Sequence, residues 1–153
     1  MKKTKKIKGV TLIELLIILV IIGILAAIAA PNLLRYIALE QVEEGQSILA
    51  QALNEARSNS RRTSLDWTLS FLADNKTLTL KNSTNTITLT KKMPDGVIID
   101  SNPGDIIYSA PFGRRPTVVS VESIIKSVRF NDLRRNVRIL GVTGKVISVG
   151  KQR

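Results

Sequence analysis

The sequence contains no cysteine and no histidine. Thiol nucleophiles, imidazole acid–base chemistry, disulfides and the usual zinc sites are therefore excluded. Aromatics are scarce, with one Trp, two Tyr and three Phe, so few large side chains are left to centre a core. No repeat or low-complexity tract interrupts the chain. Its 153 residues suit one compact domain plus an anchoring segment and leave no room for two ordinary domains. No cofactor and no metal site is expected, and no enzymatic activity.

Charge is present in excess and unevenly placed. The whole chain carries a formal +11. Five lysines (Lys2, Lys3, Lys5, Lys6 and Lys8) fall in the first nine residues. Residues 10–60 are mildly acidic, with Glu14, Glu40, Glu43, Glu44 and Glu55 against Arg35 and Arg57. Residues 61–153 are strongly basic.

Residues 15–30 read LLIILVIIGILAAIAA, without a charge or a hydrogen-bonding side chain. Extended back to Val10, the segment would span about 31 Å as a helix at ~1.5 Å per residue. That matches a bilayer hydrocarbon core of about 30 Å. Apolar residues occupy every face, which packing on a soluble core does not require. The lysines ahead of it would hold the N-terminus in the cytoplasm, giving a single-pass anchor with the rest delivered across the membrane. A secretory signal peptide is the competing reading, but its apolar region is usually shorter, about 7–15 residues.

Glu14 does not fit a plain anchor. An acid at mid-helix costs about 2.5–3.5 kcal/mol on insertion scales and less near an end, so a partner is expected. No base lies between Val10 and Pro31, which leaves an N-terminal amine as the cation within reach.

The string Gly9-Val10-Thr11-Leu12-Ile13-Glu14-Leu15-Leu16, behind a Lys-rich leader and ahead of an apolar run ending at Pro31, resembles the signal of type IV prepilins. The resemblance implies cleavage between Gly9 and Val10 by a prepilin peptidase, which also methylates the new amine of Val10. It implies that Glu14 registers each incoming subunit against the amine of a neighbour, and that the helix bends or melts at Pro31 in assembled fibres. The first mature residue in that family is usually Phe; here it is Val10. Before the cut Val10 holds an uncharged amide nitrogen, whereas a free α-amine has a pKa near 7.7–8.0, so cleavage would itself create the cation for Glu14.

Beyond Pro31, Ala38, Val42, Gly45, Leu49, Ala52 and Ala56 recur at alternating spacings of four and three. Such a stripe predicts an amphipathic helix to about Arg57, laid on the protein's own sheet with an acidic outer side. The stretch 49–58 resembles the end of this helix in minor pseudopilins of the GspH/FimT type. After Arg61-Arg62, a charged helix-to-sheet junction, short β-rich runs are expected at 67–72, 77–80, 86–90, 97–99, 106–108, 117–121, 136–142 and 145–149, the last two joined by a tight turn at Thr143-Gly144. The expected core lies around Trp67, Phe71, Phe112 and Phe130, with Tyr108 as a further packing residue.

The expected fold class is thus α+β and pilin-like: a long N-terminal helix, transmembrane in its first half, packed on a mostly antiparallel β-sheet head. Its organisation would be a leader at 1–9, a transmembrane and polymerisation helix at 10–31, an amphipathic helix at 32–59 and the head at 60–153. Asp95, Asp100 and Asp105 lie near glycines, but their spacing matches no EF-hand loop and reads as turn chemistry.

Two uses of the basic head stay open. Arg134, Arg135, Arg138, Lys145, Lys151 and Arg153 would form either a face complementing acidic neighbouring subunits or a DNA-binding face. Some competence-related minor pilins bind DNA through a basic C-terminal region with a Gly-Arg-x-Arg element. Here Gly144-Lys145-Val146-Ile147 keeps the glycine and the first base. Few aromatics flank these bases, which gives single strands little to stack on. The resemblance implies a minor pilin or pseudopilin of a type IV pilus or type II secretion pseudopilus. Its partners would be the peptidase, sister pilins, membrane lipid, the inner-membrane assembly platform and, in the second use, DNA.

Overall fold

The computed structural model describes residues 10–150. Gly9, Lys151 and Arg153 lie outside the described residues. The chain divides into two compact units, Met1–Tyr36 and Ile37–Arg153, each described by itself.

Within the first unit, helix α1 (Leu12–Thr63) begins behind a threonine cap. The Thr11 hydroxyl accepts from the Glu14 amide at 3.3 Å, and the Glu14 carboxylate accepts in return from the Thr11 amide at 3.0 Å and hydroxyl at 3.1 Å. This is the reciprocal capping box, which satisfies amides that have no partner in the first helical turn. Every large apolar side chain from Val10 to Ile28 is half or more exposed, and the segment is long and apolar enough to cross a membrane. Pro31 lies inside α1, where it offers no amide to the preceding turn.

In the second unit the predicted stripe is the buried one: Ala38, Val42, Gly45, Leu49, Ala52 and Ala56 all face inward, joined by Leu53, Asn59 and Ser60. The helix outruns its expected end and continues to Thr63. The run Asn59-Ser60-Arg61-Arg62-Thr63 can remain helical because Ser60 Oγ donates to the Tyr108 carbonyl and Thr63 Oγ1 to that of Asn59. Two arginines in the last turn also complement the helix dipole. Ser64, at φ 54°, then turns the chain out of the helix.

Eight strands follow: β1 (Trp67–Phe71), β2 (Thr77–Asn82), β3 (Thr88–Lys92), β4 (Val97–Ser101), β5 (Ile106–Tyr108), β6 (Val121–Ser127), β7 (Arg134–Ile139) and β8 (Val146–Val149). They form two four-stranded sheets, β3-β2-β1-β5 and β4-β6-β7-β8, antiparallel at every pairing. The fold class is α+β, with the second half of α1 packed on antiparallel sheets. The core joins the helix stripe to Trp67, Leu69, Leu78, Leu80, Val97, Ile99, Ile106, Tyr108, Ile125, Val137 and Ile139.

Two expectations are corrected. Phe112 is not a core residue: it is 64% exposed, on the loop after β5, while Phe71 and Phe130 pack against the core only in part. The sixth strand lies at Val121–Ser127, not at 117–121. Its inward residues alternate Ser123, Ile125, Ser127, so two of three core-facing positions are serines and the apolar alternation is hidden. Both hydroxyls are satisfied, Ser123 donating to the Ser101 carbonyl and Ser127 accepting from the amides of Arg129 and Phe130.

Tyr108 is fully buried, and its hydroxyl faces the Gly144 carbonyl at 3.4 Å. Burial pushes the phenol up to about 12 against the opposing effect of Arg115 and Arg57. A raised acid in the folded state means that its stabilising effect is complete below its ordinary value near 10 and is lost as pH climbs toward 12. Head stability, followed by the fluorescence of the buried Trp67, is expected to fall steeply over that window. Tyr108→Phe should flatten the fall; an unchanged profile would show that Tyr108 does not govern it.

Candidate functional site

The N-terminal candidates share one helix. Glu14 sits in the first turn, its carboxylate held by Thr11, and Val10 precedes the cap with its side chain 71% exposed. Within its own cap the carboxylate accepts two hydrogen bonds. The two hydrogen bonds stabilise the carboxylate, but Thr11 supplies no charge.

Among the described residues, the basic candidates of β7 do not share one face. Along β7, Arg134, Asn136 and Arg138 point to one side of the sheet, and Arg135 lies with Val137 and Ile139 on the other. There Arg135 pairs with Glu43 of α1 at 2.5 Å. Across the strand pair, Arg138 meets Glu122 at 3.7 Å, and Asn136 donates to the same carboxylate at 2.9 Å. Lys126 is likewise paired, with Asp100 of β4, so this aspartate belongs to an ion pair of the sheet. Lys145 stands in the turn between β7 and β8, where Gly144 at φ 60° packs so closely on the Tyr108 ring that a Cβ would lie 2.7 Å from it. Only a residue without a side chain fits there.

Gln46 is a contact that the stripe does not reveal. From α1 its amide donates to the carbonyls of Asn136 at 2.8 Å and Val149 at 3.1 Å, which are paired residues of β7 and β8. It ties the helix to the sheet that carries the arginines. Among the described residues, no cluster of three metal-ligating side chains occurs.

Comparison with known proteins bears on both units. Residues 4–30 match the prokaryotic N-terminal methylation motif, the stretch that contains Gly9, Val10 and Glu14. The structure matches the minor pseudopilin EpsH from the type 2 secretion system of Vibrio cholerae with a TM-score of 0.55. The match has 10% sequence identity and covers 71% of this chain and 96% of that one. The chain thus carries an N-terminal methylation motif and shares its fold with a minor pseudopilin. Comparison with curated proteins finds no match. At so low an identity the likeness to EpsH concerns the fold alone, and the methylation motif concerns the N-terminal segment alone.

Proposed function

We propose that this pilin-like chain is a non-enzymatic minor pilin or pseudopilin subunit, made as a precursor, cut between Gly9 and Val10, methylated on Val10 and assembled through its N-terminal helix. It would stand in the inner membrane with its N-terminus in the cytoplasm and its head outside. It would meet the prepilin peptidase, an inner-membrane platform and sister pilins of a type IV pilus or secretion pseudopilus. The observation that carries this reading is the methylation motif at 4–30, with one carboxylate inside an apolar helix that is long enough to cross a bilayer. A lone acid at that depth is costly unless assembly supplies a cation. Pro31, which leaves a turn of α1 without one backbone bond, would be where the helix yields in a fibre.

The head's charge favours subunit contacts over DNA. Arg135, Arg138 and Lys126 are already matched by acids of the same head, and each such pair lowers the charge available to a phosphate backbone. Mass spectrometry of the chain extracted from membranes is expected to find a methylated Val10 as first residue; retention of Met1 would overturn processing. Full-length chain in detergent, mixed with duplex DNA at several salt concentrations, is expected to show no salt-sensitive shift that depends on Arg134 and Arg138. A shift abolished by Arg134→Ala with Arg138→Ala would instead establish the DNA-binding role.

A further inference from the structure

Arg57 and Arg61 of α1, Pro111, Phe112 and Arg114 of the loop after β5, and Thr143 of the β7–β8 turn line a cleft of about 510 Å³ within the second unit. That volume falls in the range of small-molecule sites, about 300–1,000 Å³. Three of its side chains are cationic and none is acidic. The loop is fixed to the helix: Arg61 Nε donates to the Phe112 carbonyl at 3.0 Å, and a Cβ on Gly113 would stand 2.7 Å from the Arg57 carbonyl oxygen. The fold itself therefore gathers the arginines, although like charges held together repel.

Their donors are largely unspent. Arg57 Nε is buried without a hydrogen-bond partner. None of the three arginines is in an ion pair among the described residues, whereas Arg135, Arg138 and Lys126 each have an acid. A fourth guanidinium adds to the field from the same loop. Arg115 is 7% exposed and its Nε also lacks a partner; with Arg57 it opposes the burial that raises the Tyr108 phenol. An anion brought into the cleft relieves this repulsion and uses the free donors.

The kind of anion follows from charge and shape. A carboxylate presents two oxygens and one charge, which a single guanidinium takes up bidentately. A phosphomonoester carries about −1.5 to −2 charges and three acceptor oxygens, the complement of three guanidiniums on one cleft. The apolar lining supplies the rest. Phe112 is 64% exposed, and the Arg114 guanidinium lies 5.3 Å over its ring, an arrangement that orients the cation. Phe112 and Pro111 give the cleft an apolar wall beside its charges, and Thr143 brings a hydroxyl. Duplex DNA meets a protein along a strip of regularly spaced phosphates and has no need of such a wall.

We infer that the Arg57–Arg61–Arg114 cleft binds a small organic phosphate, its phosphoryl oxygens on the guanidiniums and its organic body against Pro111 and Phe112. The site lies in the head and is independent of whether the chain enters a fibre. The test uses the full-length chain in detergent, in phosphate-free buffer at fixed ionic strength. Phenyl phosphate is the probe, with inorganic phosphate and benzoate standing for its two halves. Calorimetric titration is expected to give one saturable site for phenyl phosphate, about tenfold or more tighter than for benzoate, and the melting midpoint read through Trp67 should rise with it. Arg114→Gln, at an exposed position, should weaken phenyl phosphate and inorganic phosphate alike, about tenfold or more, with the unliganded melting midpoint unchanged. Phe112→Ala should weaken phenyl phosphate alone. Arg134→Gln, on β7, should alter neither. No saturable binding, equal affinity for benzoate, or binding indifferent to both Arg114→Gln and Phe112→Ala would overturn the inference. Displacement of phenyl phosphate by duplex DNA at a lower phosphate concentration would overturn it too, and would assign the cleft to nucleic acid.

Discussion

Gly45→Leu is expected to destabilise the head by about 3 kcal/mol or more, the upper range for forcing extra carbons into a packed core. A Cβ at Gly45 would already lie 3.1 Å from Val97 Cγ1, 3.3 Å from Ile125 Cγ2 and 3.5 Å from Met93 Sδ. The neighbours thus belong to β4, to β6 and to the segment between β3 and β4, and the helix approaches them more closely here than a long side chain allows. Gly45→Ala asks the same neighbours to yield by a few tenths of an ångström, while alanine gains about 1 kcal/mol of helix propensity over glycine. It should therefore stay within about 1 kcal/mol of the parent. Thermal unfolding in detergent, followed through Trp67, reads both, because this sole tryptophan is 1% exposed in the same core. Gly23→Leu is the control, since nothing stands within 4 Å of a Cβ there. A Gly45→Leu head that melts with its parent would show that the helix-to-sheet contact is looser than described.

The same glycine shows what could be read from the chain. The stripe from Ala38 to Ala56 was legible because helix periodicity and burial agree at every position, Gly45 included. Two apolar runs flank the β7–β8 hairpin, but its connection is the four-residue turn 141–144 closed by Leu140 and Lys145, not a two-residue turn at Thr143-Gly144, and β7 ends at Ile139. The hairpin was therefore legible only in part. Strand β6 was not, because serines at two core-facing positions are acceptable only once their distant partners at Ser101 and Phe130 are known. Phe112 misleads in the opposite sense: a large aromatic in a chain with few of them suggests a core, yet its loop holds it outside under Arg114. The charges of β7 look like one patch when counted along the chain. Strand alternation and the approach of Glu43 from α1 divide them, and nothing local to β7 announces that glutamate. The Thr11-x-x-Glu14 capping box is visible in the sequence, but the expense of an acid in an apolar run points first toward a distant cation.

Those two uses of Glu14 give different expectations for a single atom change. Glutamine also serves at the third helical position of a capping box, so Glu14→Gln keeps the helix start while removing the charge. If Glu14 acts by pairing with the amine of a neighbouring subunit, Glu14→Gln should lose incorporation into sheared fibres at least tenfold, and Glu14→Ala should lose as much. Two unit charges about 4 Å apart attract by about 4 kcal/mol even at an effective dielectric of ~20, and a tenfold change needs only about 1.4 kcal/mol. Thr11→Ala runs the opposite way. It removes the hydroxyl that caps α1, at about 1 kcal/mol, and leaves the carboxylate charged, so incorporation should survive. Quantitative immunoblots of fibre and membrane fractions separate the cases. Normal incorporation of Glu14→Gln would reduce Glu14 to a cap, and the amine uncovered at Val10 would then need another role.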